Sequence, residues 1–586
     1  MKRIFVSMFF VSVAATTAHA AAVLPGPQLL CHRTANEDIP ENTLESVEQA
    51  ALLGCNVVEL DLRRTLDGKI VLNHDGILER LTDGIGEAEK SYYGDLQLRD
   101  AGAWMGERFT GMHMVLFEDA LRVARKMDIR LVVDMKTKGM GPEVLQILQR
   151  EGMLEHVQFN GEWDDVKKLY PGARGAGDTA VWVQPGVTPA QVAAYHHEGN
   201  AVIVNFSANK HDLDLAGMKA AVAAGVDAIN VDYPRLGADA VGRPVERKLH
   251  ELILKADAGE SDSRVAAILE LSRYSGFPLQ DDFARWLLDA DDHVSRTAAQ
   301  ALVTARPRTA PAVFSAALVS EHSSARANAA WALGMLQAPA SMLLPLLKDN
   351  DSLVLQQTLL SLARIPGEIS SETLLPLLSN ADPAVRGAAS IALAQHQPEV
   401  AAKAIPTQLR IEMKDERVIY DDYIKRGKPK LTQAETDVIM SSFRCQIQMV
   451  HAISLVKNDA ATRELEAQAF RVGEDFSEFN KIIAAFQLWD RIGADVEPAI
   501  QALGSSDGEA ADRAEWMLVK AGPMVLPEVR KALDSDNSAV RRRAIHIVAW
   551  QGDTKSLDKL RAIHATGGPD AELSSWAITT IENLHS

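Results

Sequence analysis

The stretch NVVELDLRRTLDGKIVLNHD, residues 56–75, contains two apolar runs separated by a short polar segment. The runs at 56–62 and 69–73 have the length and β-branched composition of buried strands. Only residues 63–68 separate them, whereas a crossover between parallel strands needs a dozen residues or more. The two runs are therefore predicted to form a hairpin. Side chains two residues apart on a strand point to the same face, so Glu59 and Asp61 are expected to project together.

Similar apolar runs occur on both sides of this hairpin, from about residue 28 to residue 233. Most of them alternate with amphipathic stretches, such as 42–53 and 213–224, that have the spacing of helices. This alternation predicts a parallel sheet, most simply an α/β fold of the (β/α)8 TIM-barrel type over residues 24–255. The hairpin leaves the number of strands open. The other predicted strands are 28–32, 130–136, 156–160, 180–183, 201–206 and 227–231.

From about residue 260 the sequence has helical patterns throughout, and a short motif rich in alanine and leucine recurs. Its copies read RTAAQAL, NAAWALG, TLLSLAR and GAASIALA, each preceded by an acidic or polar turn. The pattern predicts an all-α solenoid of HEAT-like repeats at 260–410, with further helical or HEAT-like repeats at 411–586. An irregular helical bundle with chance periodicity is the alternative. Equivalent leucines lie about 30 residues apart, at Leu302, Leu333, Leu362 and Leu393.

The composition is that of a folded protein, with 47% hydrophobic and 24% charged residues among 586. The formal net charge of −18 argues against nucleic acid as a partner, because phosphate backbones select clustered lysine and arginine. An anionic substrate would instead need a local positive patch or a metal ion.

The first 20 residues have the organisation of a secretory signal peptide. Lys2 and Arg3 precede an apolar run, and the sequence AHA at 18–20 provides a cleavage site. The apolar run is shorter than the ~20 residues that a membrane anchor needs, and no later segment qualifies as a transmembrane span. The protein is therefore expected to be secreted, either periplasmic or extracellular.

The three cysteines, Cys31, Cys55 and Cys445, cannot all form pairs. Cys31 lies late in one predicted strand and Cys55 early in the next. In adjacent parallel strands these positions are at opposite ends, so no disulfide is expected between them.

Charged and imidazole side chains gather where four of the predicted strands end. Each position alone is ordinarily a helix cap or a surface charge, but convergence at one rim of a barrel favours a site. Three carboxylates suit a hard cation, Mg²⁺ or Ca²⁺, better than zinc. Two histidines suit acid–base work on a phosphate ester, while an arginine and a lysine suit its non-bridging oxygens. The residues are His32, Arg33, Glu59, Asp61, His74, Asp134 and Lys136.

Several motifs in this region resemble those of the glycerophosphodiester phosphodiesterases. They are HR-x(7)-ENT, VELD, T-x-DG-x-x-V-x-x-HD, VVDMK and AGVDAINVDYP, in an order and spacing that together are specific. The segment DAGAWMGERFTG also resembles an insertion of that family. The resemblance covers about residues 27–240. It implies a metal-dependent hydrolase that splits glycerophosphodiesters into glycerol 3-phosphate and an alcohol.

The resemblance also implies a role for each site residue. His32 and His74 match the acid–base pair of the family, and Arg33 and Lys136 match its phosphate contacts. Glu41 matches the acid of the ENT motif, which we place with the substrate-binding residues. The metal ligands, for Ca²⁺ or Mg²⁺, match Glu59, Asp61 and Asp134.

Two positions depart from the family pattern. A glycine usually follows the His-Arg pair, and Thr34 stands there, so a backbone with positive φ would be strained. The third metal ligand is usually glutamate, and Asp134 is shorter by one methylene. These departures leave open a barrel that has lost activity and serves as a binding or scaffold protein. A further alternative, within the enzyme class, is a lyase-type action on a phospholipid or lysophospholipid that gives a cyclic phosphate. In the phosphodiesterase interpretation, the repeats are expected to bind a protein partner or position the barrel.

Overall fold

A computed structural model describes residues 27–585, except 37, 208–212, 275, 306–312, 473–477, 489–490 and 492–495. The predicted signal peptide, residues 1–20, lies outside the described residues. The chain divides into two compact units, the first ending at Leu279 and the second beginning at Gln280. The first unit thus extends past the predicted barrel boundary at residue 255.

The first unit is built on a sheet of parallel strands. The strands are β1 Gln28–Cys31, β2 Val57–Arg64, β3 Ile70–Leu72, β4 Arg130–Met135, β5 Val157–Gly161, β6 Ala180–Val183, β7 Ala201–Asn205 and β8 Ala228–Val231. Neighbouring strands follow the order β5-β4-β2-β1-β8-β7-β6, and β3 pairs with β2 outside this path. In all of them except β5 and β6 most residues are buried, as expected where both faces of a sheet are covered.

The prediction of a hairpin at 56–75 is confirmed, because β2 and β3 pair antiparallel, with Leu62 opposite Leu72. The turn between them uses Gly68 at φ +77, where a side chain would be strained. Thr65 closes the turn by donating its backbone N–H to the carbonyl of Lys69 at 2.9 Å. Because β3 runs back along β2, the segment that follows it returns to the level of Asp61, whose carbonyl accepts from the backbone N–H of Asn73 at 3.0 Å.

The parallel strands form the arc of a TIM-type barrel, as predicted. At the β5 edge a parallel bridge joins Phe159 to Gly175, which adds an eighth strand position between β5 and β6. Trp182 on β6 donates its indole N–H to the carbonyl of Ala176 at 3.2 Å, across the same gap. In chain order this makes eight successive strand positions, the number in a (β/α)8 barrel.

Helices connect the strands, and the last two continue the first unit beyond the barrel. Arg273, directly after helix Ser261–Ser272, forms an ion pair with Glu48 at 2.6 Å. The guanidinium of Arg235 lies 3.9 Å from the centre of the Phe277 ring. These contacts explain why the compact unit reaches Leu279. The helices are Leu44–Leu52, Tyr93–Leu96, Phe117–Lys126, Gly141–Glu151, Asp164–Leu169, Pro189–His197, Leu215–Ala223, Pro234–Ala240, Val245–Asp257 and Ser261–Ser272.

The prediction that Cys31 and Cys55 stay unpaired is wrong: they form a disulfide, with Cα atoms 6.0 Å apart. Strand β1 has only four residues, so its two ends are close together. The backbone N–H of Asn56 donates to the carbonyl of Leu29 at 2.9 Å, which draws the turn before β2 against the middle of β1. Cys445 is free and buried in the second unit.

The described part of the second unit is helical, as predicted from residue 260 onward. Arginines link successive repeats through paired hydrogen bonds to a carboxylate later in the sequence. Arg326 reaches Asp349 at 2.7 and 3.0 Å, and Arg530 reaches Asp553 at 2.7 and 2.7 Å. Such nearest-neighbour contacts hold repeat arrays together. The helices are Gln280–Leu287, Asp292–Ala305, Ser323–Met335, Ser352–Leu362, Ser371–Leu374, Pro383–His396, Pro398–Lys425, Gln433–Leu455, Asp459–Ala469, Glu478–Leu488, Glu497–Ala502, Gly508–Ala521, Leu526–Ala532, Ser538–Trp550, Leu557–Ala565 and Ala571–His585.

None of the described helices combines the length and apolar composition that crossing a lipid bilayer requires.

Candidate active site

The predicted site residues meet at the carboxyl ends of the parallel strands, where TIM-type barrels carry their active sites. Strand pairing explains the convergence. Asp61 on β2 lies directly opposite Asp134 on β4. Leu30 on β1 lies opposite Asn230 on β8, so His32 and Asp232, each two residues further on, emerge side by side. The side chains at this rim thus come from four neighbouring strands and from the segment that follows the hairpin.

Three carboxylates form the acidic centre of the site. One oxygen from each of Glu59, Asp61 and Asp134 lies within 4.8 Å of the others. The Asp61 side chain is 1% exposed and is held by Asn42, whose amide donates to Asp61 Oδ2 at 2.9 Å. The Asn42 carbonyl oxygen also accepts from the Asp61 backbone N–H at 3.1 Å. This set of hard oxygen donors fits a divalent cation such as Mg²⁺ or Ca²⁺.

Lys136 supplies the positive charge inside this cluster. Its Nζ lies 2.6 Å from Asp134 Oδ2 and 3.1 Å from Asp61 Oδ1. Burial lowers the pKa of Lys136, but the two carboxylates outweigh burial and leave the pKa raised. Burial also raises the pKa of Glu59 to about 7, and Asp61 and Asp134 add to this shift against His32 and Lys136. The three carboxylates thus repel one another, and Lys136 offsets part of that repulsion.

His32 lies between two carboxylates. Its Nδ1 lies 2.5 Å from Asp232 Oδ1, and its Nε2 lies 3.4 Å from Glu59 Oε2. Burial lowers the pKa of His32, but the hydrogen bond with Asp232 and the charges of Glu59 and Asp232 outweigh it, so the pKa is raised. Asp232 therefore fixes the ring orientation and directs Nε2 toward the metal ligands.

His74 has a different hydrogen-bond environment. Arg33 Nη2 donates to His74 Nε2 at 2.7 Å, and His74 Nδ1 donates to Asp75 Oδ1 at 2.7 Å. A guanidinium can only donate, so in this arrangement Nε2 carries the lone pair and Nδ1 carries the proton. The two histidines thus present opposite hydrogen-bonding capacity, His74 as an acceptor and His32 as a donor between carboxylates.

Glu41, predicted to bind substrate, contacts the cationic side chains of the site. It accepts from Arg80 Nη2 at 2.8 Å and Nη1 at 3.2 Å, and lies 3.7 Å from Arg33 Nη1. Arg80 also forms an ion pair with Asp75, the partner of His74. A carboxylate repels phosphate, so Glu41 is suited to orienting the two arginines. Its place in substrate binding stays a prediction.

The backbone after His32 is strained. Arg33 has φ +54 and Thr34 has φ +74, a region in which a β-branched residue is a genuine outlier. Such a conformation costs about 1–3 kcal/mol and persists only where neighbours over-determine it. Here Thr34 Oγ1 donates to Ser46 Oγ at 2.6 Å and accepts from the backbone N–H of Asn42 at 3.3 Å. The threonine that replaces glycine thus ties the His-Arg pair to the ENT motif.

Sequence reasoning missed three members of this site. Asp232 follows an apolar strand within AGVDAINVDYP, and that strand-end position was the available signal. Asn42 lies in the ENT motif, but the motif gave no indication that its amide holds Asp61. Arg80 had no signal, since nothing in the sequence links it to Glu41, 39 positions earlier.

Two parts of the chain match known families. Residues 32–168 match the model of the Glycerophosphoryl diester phosphodiesterase family, and residues 496–582 match that of HEAT repeats. The first match contains all eight site residues predicted from the sequence, and the second confirms HEAT-like repeats toward the carboxyl end.

Individual relatives are similar to parts of the chain. The Bacillus subtilis protein YhdW is 29% identical over 235 residues, 35% of this chain and 94% of YhdW. The glycerophosphodiester phosphodiesterase of Caldanaerobacter subterraneus is 27% identical over 152 residues, 24% of this chain and 63% of the relative. Human glycerophosphodiester phosphodiesterase 1 is 49% identical over 57 residues, 10% of this chain and 17% of its own.

Among solved structures, the glycerophosphodiester phosphodiesterase of Agrobacterium tumefaciens is 23% identical, with a TM-score of 0.33. The match covers 36% of this chain and 99% of that one. A score at this level adds nothing to the strand order described above. Residues 32–168 thus form a domain that matches the glycerophosphoryl diester phosphodiesterase family, a family of phosphoric diester hydrolases, and residues 496–582 match HEAT repeats.

Proposed function

We propose that this protein is an exported, metal-dependent phosphodiesterase that hydrolyses glycerophosphodiesters to glycerol 3-phosphate and an alcohol. The observation that carries the proposal is the carboxylate cluster flanked by two histidines, each oriented by its own aspartate. The names of the relatives point to the same substrate class.

Glu59, Asp61 and Asp134 would hold the cation, Mg²⁺ or Ca²⁺. A bound divalent cation would supply a Lewis acid that neutralises charge on the phosphate. Lys136 lies beside two of the ligands, and Arg33 lies beside His74, so both cationic side chains are placed to hold non-bridging oxygens. These contacts would orient the diester between the two histidines.

Proton transfer falls to His74 and His32. With its lone pair on Nε2, His74 is placed to accept a proton from the attacking water. Asp75 accepts a hydrogen bond from Nδ1 and stabilises the ring from the other side. His32, held by Asp232, is placed to donate a proton to the leaving alcohol oxygen. Arg33 must release His74 Nε2 when it turns to the phosphate.

Export is part of the proposal. The amino-terminal segment has signal-peptide organisation, and the Cys31–Cys55 disulfide supports an oxidising compartment. Disulfides persist in the periplasm and outside the cell and are rare in the reducing cytosol. We propose a periplasmic or extracellular protein whose repeats bind a protein partner.

The deciding experiment measures release of glycerol 3-phosphate from a small glycerophosphodiester with Mg²⁺, Ca²⁺ or Mn²⁺, before and after a chelator. We expect metal-dependent release that Glu59→Gln abolishes and Glu45→Gln, an exposed helix residue, leaves unchanged. Turnover without metal would refute the metal assignment. No turnover with any of the three metals would favour the scaffold alternative, and a cyclic phosphate in the ³¹P NMR spectrum would favour the lyase alternative.

A further inference from the structure

One helical hairpin in the second unit has an outer end that is not buried. It consists of helices Pro398–Lys425 and Gln433–Leu455, at 28 and 23 residues the two longest described. The last buried residue of the first helix is Glu416, and the first of the second is Ile439. No residue between them is buried, so the hairpin tip, residues 417–438, has solvent on its outer faces.

The hairpin tip exposes apolar side chains. Val418 is 65% exposed, Val438 is 56% exposed and Ile424 is 38% exposed. Val418 and Val438 line a groove of about 430 Å³ between the two helices, together with Tyr423 and Leu431. Exposed apolar groups gathered at one place mark an interaction surface rather than ordinary scatter.

The turn of the tip is cationic, whereas the helical parts of the tip contribute four acidic residues, of which Asp422 and Glu435 line the groove. The segment IKRGKPKLT, residues 424–432, has four basic residues and no acidic one in a chain with a net charge of −18. Arg426 is paired with Asp422 at 2.9 Å and Glu435 at 2.8 Å. Lys425, Lys428 and Lys430 are exposed and have no ion pair with any described residue.

The turn itself arranges these charges. Gly427 at φ +79 and Lys428 at φ +55 reverse the chain within the few residues between the helices. The lysines therefore lie at or next to the turn, and the valines and the tyrosines lie on the two helices that the turn connects. Tyr420 and Tyr423 have ring centres 6.4 Å apart on the first helix.

We propose that the hairpin tip docks on an anionic phospholipid bilayer. Interfacial segments combine lysines that contact lipid phosphates with apolar side chains that enter the acyl boundary and tyrosines at headgroup depth. The charge pattern favours an anionic surface, because the three exposed lysines of the turn have no ion pair with any described residue in a chain whose net charge is −18. The proposal does not rest on the phosphodiesterase activity.

The test is co-sedimentation of the full chain with vesicles of two parts phosphatidylcholine to one part phosphatidylglycerol, beside vesicles of phosphatidylcholine alone. We expect binding to the anionic vesicles that weakens as salt is added. Each lysine near an anionic surface contributes about fivefold, so changing Lys425, Lys428 and Lys430 together to glutamine should weaken binding about 100-fold. Val418→Ser with Val438→Ser should weaken binding about tenfold by removing apolar contact.

A matched control removes the same charge elsewhere in the second unit. Lys348, Lys520 and Lys555 are exposed, and their change to glutamine should leave vesicle binding unaltered. Circular dichroism and thermal unfolding of each variant check that the repeats remain folded. The proposal is overturned if the tip and control variants bind equally or if the neutral vesicles bind as well. It is also overturned if polyglutamate, standing in for an acidic protein partner, is bound while the anionic vesicles are not.

Discussion

Removing the Cys31–Cys55 disulfide should destabilise the first unit and leave the second unit unaffected. The two cysteines are 24 positions apart in the sequence. In the chain-entropy treatment, a closed loop of this length restricts the unfolded chain enough to stabilise the fold by about 3.5 kcal/mol. For a unit of this size, that corresponds to a decrease in Tm of about 7–14 °C. The bond precedes His32 directly, so it also anchors the strand that presents this residue.

Differential scanning calorimetry of the oxidised and reduced protein measures the effect. Addition of reductant should lower the transition of the first unit, and Cys31→Ala with Cys55→Ala should reproduce that lower Tm and become insensitive to reductant. The transition of the second unit is an internal control, because its single cysteine, Cys445, is free. A first-unit transition that does not respond to reductant would show that the bond does not form or does not stabilise the fold. Equal shifts in both transitions would indicate a non-specific effect.

Three further predictions concern the site and the division of the chain. His32→Ala and His74→Ala should each lower kcat about 100-fold while calorimetry shows nearly unchanged metal affinity, and lost metal with intact turnover would reverse the assignment. Asp134→Glu should keep or raise activity and Asp134→Ala should abolish it, so an active alanine variant would remove Asp134 from the metal ligands. A chain ending at Leu279 should fold and turn over a small diester at nearly the full-length rate. If that folded chain is inactive, the repeats complete the active site.

The Cys31–Cys55 disulfide and the strained backbone at Thr34 show which features a local stretch of sequence can predict. The departure at Thr34 predicted strain, and the backbone does adopt a positive φ there. The hydrogen bonds that make it tolerable connect Thr34 to Ser46 and Asn42, residues that no local pattern links to it. The prediction that Cys31 and Cys55 stay unpaired was wrong for a related reason. Formation of the disulfide depends on how a four-residue strand aligns with the next turn.

The local backbone preferences of the sequence were enough to predict much of the fold. Strand and helix periodicities predicted the barrel region, the hairpin and the repeats, because they depend on the backbone geometry of a few neighbouring residues. The same periodicity placed Glu59 and Asp61 on one face.

Only the tertiary structure decided which distant groups meet. Asp232 reaches His32 across 200 positions. The first unit extends to Leu279 because Arg273 contacts Glu48 and Phe277 contacts Arg235. Strand register and the path of connecting segments set these contacts. Both follow from the packing of the whole unit, which no short stretch of sequence contains.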